Sequence, residues 1–254
     1  MSLQLPEKPG DNREQAIRDL VCDGKAQYRF IEINSAHNGH SAQFRVFVDA
    51  LQIEGVRVSM SAETQQVVAD MLGCSLLTAK LADLLWAQRH VTLPPFPRGN
   101  PKGMSDTTAM IEHSAKIDAA LEKLKYPDGI ISTVGKHWII DNSIADGRKL
   151  MGAPVACNYG WHFEKLFEGK RWERSASDPN ERLIQGRGTR HNMKHDDYSQ
   201  NCVLVSLDCV VDGGKMKLGA LLQDPELAPL ASHQGVLKCL RQPGVPELGI
   251  TIRA

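Results

Sequence analysis

Four prolines and two glycines fall between Thr92 and Gly103: Pro94, Pro95, Pro97, Gly99, Pro101 and Gly103. A proline ring fixes φ and removes a backbone donor, so this stretch can be neither a helix interior nor a central strand. It must be a linker or a long loop crossing a sheet edge. A sub-boundary, if the chain has one, falls at residues 92–104. The 254 residues are enough for one large domain. The expected organisation is an N-terminal arm over 1–24, with one helical turn near Glu14–Val21, and a single α+β domain over 25–254.

Before the Pro-rich stretch the pattern is that of strands and then helices. Tyr28–Ile33 reads as a strand, His37-Asn38-Gly39-His40 as turn chemistry, and Gln43–Ala50 as a half-buried strand. Gly55 marks a further turn or kink in Gln52–Met60. Ser61 and Thr78 are placed to cap two helices, with Gly73 ending the first. Behind the stretch, Ser105 opens a third helix reaching about Leu124. His113 lies at the edge of its apolar stripe, where a satisfied core histidine is the plainer reading. Ile130–Val134, Trp138–Ile140, Ala153–Trp161 and Cys202–Val211 are apolar enough for strands, and Asp212-Gly213-Gly214 turns the last one back. Residues 164–182 read as an exposed charged loop. The expected fold is α+β: a mostly antiparallel sheet with about three main helices packed on it.

Charge and composition narrow the partners. Lys plus Arg equals Asp plus Glu, at 30 each, so no global basic field exists to hold a nucleic acid. A local basic run remains at Arg182–Lys194. No apolar run approaches the roughly 20 residues that cross a bilayer, so no membrane span is expected. The first fifteen residues lack a signal-type apolar segment, which makes the cytoplasm the default location, or the exterior if a leader has been removed. None of the six cysteines forms a C-x-x-C pair, which argues against a structural zinc site and for buried free thiols. The expected partner is a small-molecule or polymer substrate.

Chemistry concentrates in Gly186–Val205, GRGTRHNMKHDDYSQNCVLV. His191 and His195 are four apart, and on a helix they would share a face. With Asp197 they form a candidate metal set, His191, His195 and Asp197, for a divalent ion such as zinc. Asn192 stands where a zincin would carry its glutamate. A metal-free site can be drawn from the same groups: Asp197 orienting His195, Tyr198 donating a proton or binding an oxyanion, His162 as a base, Lys136 polarising a carbonyl. A third reading is a hydrogen-bonded loop stapling two strands. Gly186-Arg187-Gly188-Thr189-Arg190 could cradle an anion through backbone N–H groups, although a flexible turn fits it better. Arg187, Arg190, Trp161 and Gln185 are the candidate ligand-binding residues, with Trp172 as an exposed aromatic. A serine nucleophile has no G-x-S-x-G elbow, and Cys157 fits a buried thiol better than a nucleophile.

Tyr159-Gly160-Trp161-His162, Ile184-Gln185 and Asp197-Tyr198-Ser199-Gln200, with Leu72-Gly73-Cys74, Leu77-Thr78 and Asp224-Pro225, resemble the motifs of an uncharacterised bacterial protein family. The resemblance spans most of the chain and implies no particular reaction; it singles out His162, His195, Asp197 and Tyr198. Trp161-His162 is also similar to the closing W-H of zinc D,D-carboxypeptidases, with Ser35-Ala36-His37 and Ala42 matching part of their earlier element. This chain departs from that element where His40 replaces its glycine and Phe44 its metal-binding aspartate. The expected function is a hydrolase with a His/Asp/Tyr polar site, metal-assisted or not, acting on a peptide or carbohydrate. The alternative is a non-catalytic binding module for an anionic or sugar ligand.

Overall fold

The computed structural model describes residues 3–99, 102–132, 134–164, 173–174 and 182–248. In chain order its elements are α1 (Asp11–Cys22), β1 (Ala26–Gln27), β2 (Phe30–His37), β3 (His40–Phe47), β4 (Gln52–Ile53), β5 (Val56–Arg57), α2 (Ala62–Met71), β6 (Cys74–Leu76), α3 (Ala79–Ala87), β7 (Val91–Thr92) and α4 (Thr107–Lys123). Then come β8 (Ile131–Ser132), β9 (Lys136–Ile139), β10 (Lys149–Leu150), β11 (Ala153–Phe163), β12 (Glu173–Arg174), β13 (Arg182–Asn192), β14 (Leu204–Val211), β15 (Gly214–Lys217) and α5 (Leu218–Gln223).

The fold is α+β, built on two antiparallel sheets. The first runs β15-β14-β3-β2, and β6 also pairs with β14. The second runs β10-β11-β13-β12, and β9 also pairs with β11. Isolated bridges between Ser59 and Asn201, Leu77 and Ile139, and Lys136 and Gln200 tie the parts together. Local chemistry explains the first sheet. Asn38-Gly39 and Asp212-Gly213 both turn with two successive positive φ values, the geometry whose twist suits a tight hairpin. Ala42, Phe44 and Val46 are buried while Ser41, Gln43 and Arg45 are exposed, the period-two pattern of a sheet with one dry face.

The helices follow their caps. Ser61 accepts from the Thr64 amide and Thr78 from the Leu81 amide, as their positions in the sequence predict. Gly73 ends α2 with φ 62°. The third cap is Asp106 rather than Ser105, whose hydroxyl instead donates to the Asp196 carbonyl.

One expectation is corrected. The segment over 1–24 is not a loose arm, because α1 is a twelve-residue helix with Ile17 and Val21 fully in the core. Its apolar residues are few, but 17, 20 and 21 share one helical face, and burial there supplies what propensity does not. The expected α+β fold is present, and the described residues carry five helices, four of them longer than seven residues. Within the Pro-rich stretch Leu93 and Pro95 are buried, and the Arg98 amide and Met104 carbonyl both bond to Tyr198. The charged segment 164–182 lies largely outside the described residues, as does Trp172. No helix among the described residues is long and apolar enough to cross a membrane.

Candidate functional site

Strand β9 approaches the loop 193–203 closely. Its Lys136 amide donates to the Ser199 carbonyl at 2.7 Å. The approach is possible because residue 135 is glycine: a Cβ there would lie 2.3 Å from that same carbonyl oxygen. The Lys136 side chain then reaches Asp197, Nζ to Oδ2 at 2.6 Å, in a pair whose side chains are 11% and 9% exposed. The other carboxylate oxygen accepts from the Ser199 hydroxyl at 2.6 Å and the Ser199 amide at 2.9 Å. Burial pushes the Asp197 carboxyl upward, but the Lys136 ammonium and the Ser199 donors outweigh it and hold the group below the usual carboxylate range.

His195 completes this cluster. Its Nε2 lies 4.0 Å from Asp197 Oδ2, and a third of its side chain is open to solvent. The ring stacks on His191 at 3.8 Å between centroids, with 6° between planes, and meets Trp138 edge-on. Burial and the neighbouring His191 push the His195 imidazole down to about 4. His191 is lowered as well, by burial and then by Lys136. Both rings are therefore neutral near pH 7 and able to accept a proton.

The two histidines do not lie on a helix. His191 is near the end of β13, and a turn in which the His195 amide bonds the Asn192 carbonyl brings the rings together. The glycine-spaced segment before them is no flexible turn either: residues 186–190 belong to β13. As a metal set His191, His195 and Asp197 are corrected. Among the described residues no group of three or more His, Cys, Asp or Glu side chains is placed to hold an ion. Two face-to-face imidazoles do not aim their lone pairs at one point, and both Asp197 oxygens are committed to Lys136 and Ser199.

Tyr198 leaves the site. Its hydroxyl accepts from the Arg98 amide at 2.7 Å, and its ring packs edge-on against His113 and Trp161. His113 is buried as expected but is not satisfied: its Nε2 has no hydrogen-bond partner among the described residues, and burial lowers the imidazole to about 4. Trp161 is 3% exposed, which removes it as an open ligand platform. Arg187 lies 3.4 Å from Asp141, and Arg190 is exposed with no ion pair among the described residues. Gln185 is half-buried and bonds the Gly186 carbonyl. Cys157 is a buried free thiol pushed up to about 12, chiefly by burial, and is no nucleophile.

His162 belongs to a second cluster. Ala156 pairs with His191 across β11 and β13, while His162 pairs with Leu183. Six residues of strand, about 20 Å, separate the two positions. His162 Nε2 instead meets Asp83 Oδ1 at 2.8 Å, where the Tyr159 hydroxyl also donates, and His233 Nε2 meets Asp83 Oδ2 at 2.9 Å. Residues 159 and 162 would face opposite ways in a regular strand. Here Gly160 and Trp161 carry φ values of 109° and 62°, breaking the alternation so that both reach one carboxylate. Asp83 and His233 escaped the sequence reading. A lone aspartate inside the apolar run Leu81–Ala87 was the available signal, since a helix face of that kind has no water for a charge.

Comparison with known proteins gives no further guide: no family model, no curated protein and no solved structure matches the chain.

Proposed function

We propose that the chain is a hydrolase whose working groups are His195, Lys136 and Asp197. The observation that carries this reading is the buried Lys136–Asp197 pair lying beside a neutral imidazole that reaches solvent. Asp197, fixed by Ser199, orients His195 and steadies the imidazolium that forms when a proton arrives. The 4.0 Å separation is longer than a hydrogen bond, and such contacts tighten when substrate excludes water. In the hydrolytic step a water oxygen attacks the carbonyl carbon while His195 takes the water proton. The departing group then recovers that proton from His195 as its bond to carbon breaks. The Lys136 ammonium stabilises the negative charge that develops on the carbonyl oxygen. Ser199 is 1% exposed and bonded to Asp197, so it supports the site rather than attacking.

The reading is tested by assaying the purified protein against peptides, N-acyl amides, esters and glycosides. General-base and oxyanion contributions are each worth about 10²–10⁴-fold. His195→Ala and Lys136→Ala are each expected to lower kcat/KM by at least about 10²-fold while the folded spectrum persists. The acid limb of the pH profile is expected near the His195 value of about 4, because protonation there removes the base. Undiminished turnover in both variants would sink the mechanism. Saturable binding of a sugar or an anion without turnover of any class favours the binding-module reading instead.

A further inference from the structure

The cluster around Asp83 lies apart from His195 and is built with some strain. The β11–β13 ladder slips twice, between Ala156 and Asn158 and between Asn158 and Gly160, each time with one extra residue on β13. Just past the second slip, Trp161 sits in the left-handed region with φ 62°. Bulky residues rarely go there, and such strain gathers where function over-determines the backbone. Its effect here is to bring Tyr159 and His162 to one oxygen of Asp83.

A carboxylate can only accept, so the His162 nitrogen that meets Asp83 at 2.8 Å, Nε2, carries the proton. In the neutral ring this leaves Nδ1 as a bare acceptor. Trp86 stacks on the ring at 5.5 Å between centroids, with 16° between planes, and fixes its plane. The Asp83 and His162 side chains are each 5% exposed, so bulk water competes little for the pair.

His162 also lines a cavity beside α3, walled by Phe47, Leu85, Ile131, Val134 and Val203. Its volume of about 20 Å³ is room for the centre of one water-sized molecule. Its second imidazole is His137, which burial lowers to about 4, so that ring is neutral near pH 7. Among the described residues no Lys, Arg, Asp or Glu side chain lines the cavity. A charged guest would therefore be buried among apolar walls without a counter-ion.

We propose that the Asp83–His162 pair and this cavity form a second binding site, for a compact neutral alcohol whose hydroxyl donates to His162 Nδ1. The walls take the carbon end, and Asp83 holds the ring in the accepting tautomer. The site does not rest on the hydrolase reading, and His195 takes no part in it.

The probe is methanol, titrated at about pH 8, where an ordinary imidazole is neutral, while the His162 ring nitrogens are followed by long-range ¹H–¹⁵N NMR. Nδ1 is expected to resonate as a bare nitrogen and to shift saturably as methanol is added. Two heavy atoms limit the affinity to a Kd on the order of 10 mM or weaker. Ala82 lines the same cavity. Ala82→Leu fills it and is expected to weaken binding by about tenfold or more. If that variant does not fold, Val203→Ile serves the same purpose. A proton on Nδ1 with Nε2 bare overturns the proposal. So does a response that rises linearly without saturating, or a signal that methanol leaves unmoved, as a site open to water alone would give. Equal binding to a folded, filled variant overturns it too, as does an equal response to acetonitrile, which accepts but has no hydroxyl to donate.

Discussion

At the scale of the residue, Gly135 lets two backbones touch beside the Lys136–Asp197 pair. A Cβ at 135 would meet the Ser199 carbonyl at 2.3 Å and the Asn201 side-chain oxygen at 2.8 Å. The Ser199 carbonyl is backbone, so the backbone has to move. Gly135→Ala is expected to destabilise the fold by about 1–3 kcal/mol and to loosen the Lys136–Asp197 pair. Urea unfolding gives the first quantity, and an unchanged midpoint would show that the approach is looser than the distances state. The site histidines are legible as residue types in the sequence, and so is Asp197. What they touch is not. His162, placed with His195 by motif, answers to Asp83, and Tyr198, adjacent to Asp197 in the chain, points the other way to Arg98.

At the scale of the element, α1 shows how a short helix is secured from outside itself. Its Glu14 carboxylate accepts from the amide and hydroxyl of Ser61, the residue that caps α2. Its Arg13, 1% exposed, donates to the Ser105 carbonyl and pairs with Asp196 in the loop that also carries Asp197. Burial, with Glu14 nearby, pushes the Asp196 carboxyl upward, and Arg13 opposes that. The helix therefore buttresses the site loop from behind. Ile17 is fully buried, and Ile17→Ala is expected to cost about 2–5 kcal/mol. A loss under about 0.5 kcal/mol in chemical denaturation, the size typical of a surface substitution, would restore the view of residues 1–24 as an arm. The sequence underrated α1 because twelve polar-rich residues have little helix signal of their own; the partners that hold it lie 47 and 183 positions away.

At the scale of the whole molecule, acid is the condition that tests the packing. His113, His137 and His195 are each lowered to about 4 from 6.5, chiefly by burial. Between those values the unfolded chain binds protons that the folded chain refuses, so stability rises with pH across the window and falls as pH drops through it. Asp197, held low by Lys136, adds its own loss only further down, as pH falls through its folded value. Urea midpoints are expected to be lower at about pH 5 than at neutrality, and His137→Phe is expected to shrink that difference; a flat profile would contradict the buried neutral rings. Sequence alone determined the antiparallel α+β character, the hairpin turns at Asn38-Gly39 and Asp212-Gly213, the caps at Ser61 and Thr78, and the stretch where polar chemistry gathers. Those features depend on neighbours within a few positions, whose sterics and hydrogen bonds the chain carries with it. Tertiary structure alone decided that β13 bulges twice, that α1 joins the core, and that the histidines divide between Asp197 and Asp83. Each of these depends on groups brought together from distant parts of the chain, and local spacing carries no record of which ones meet.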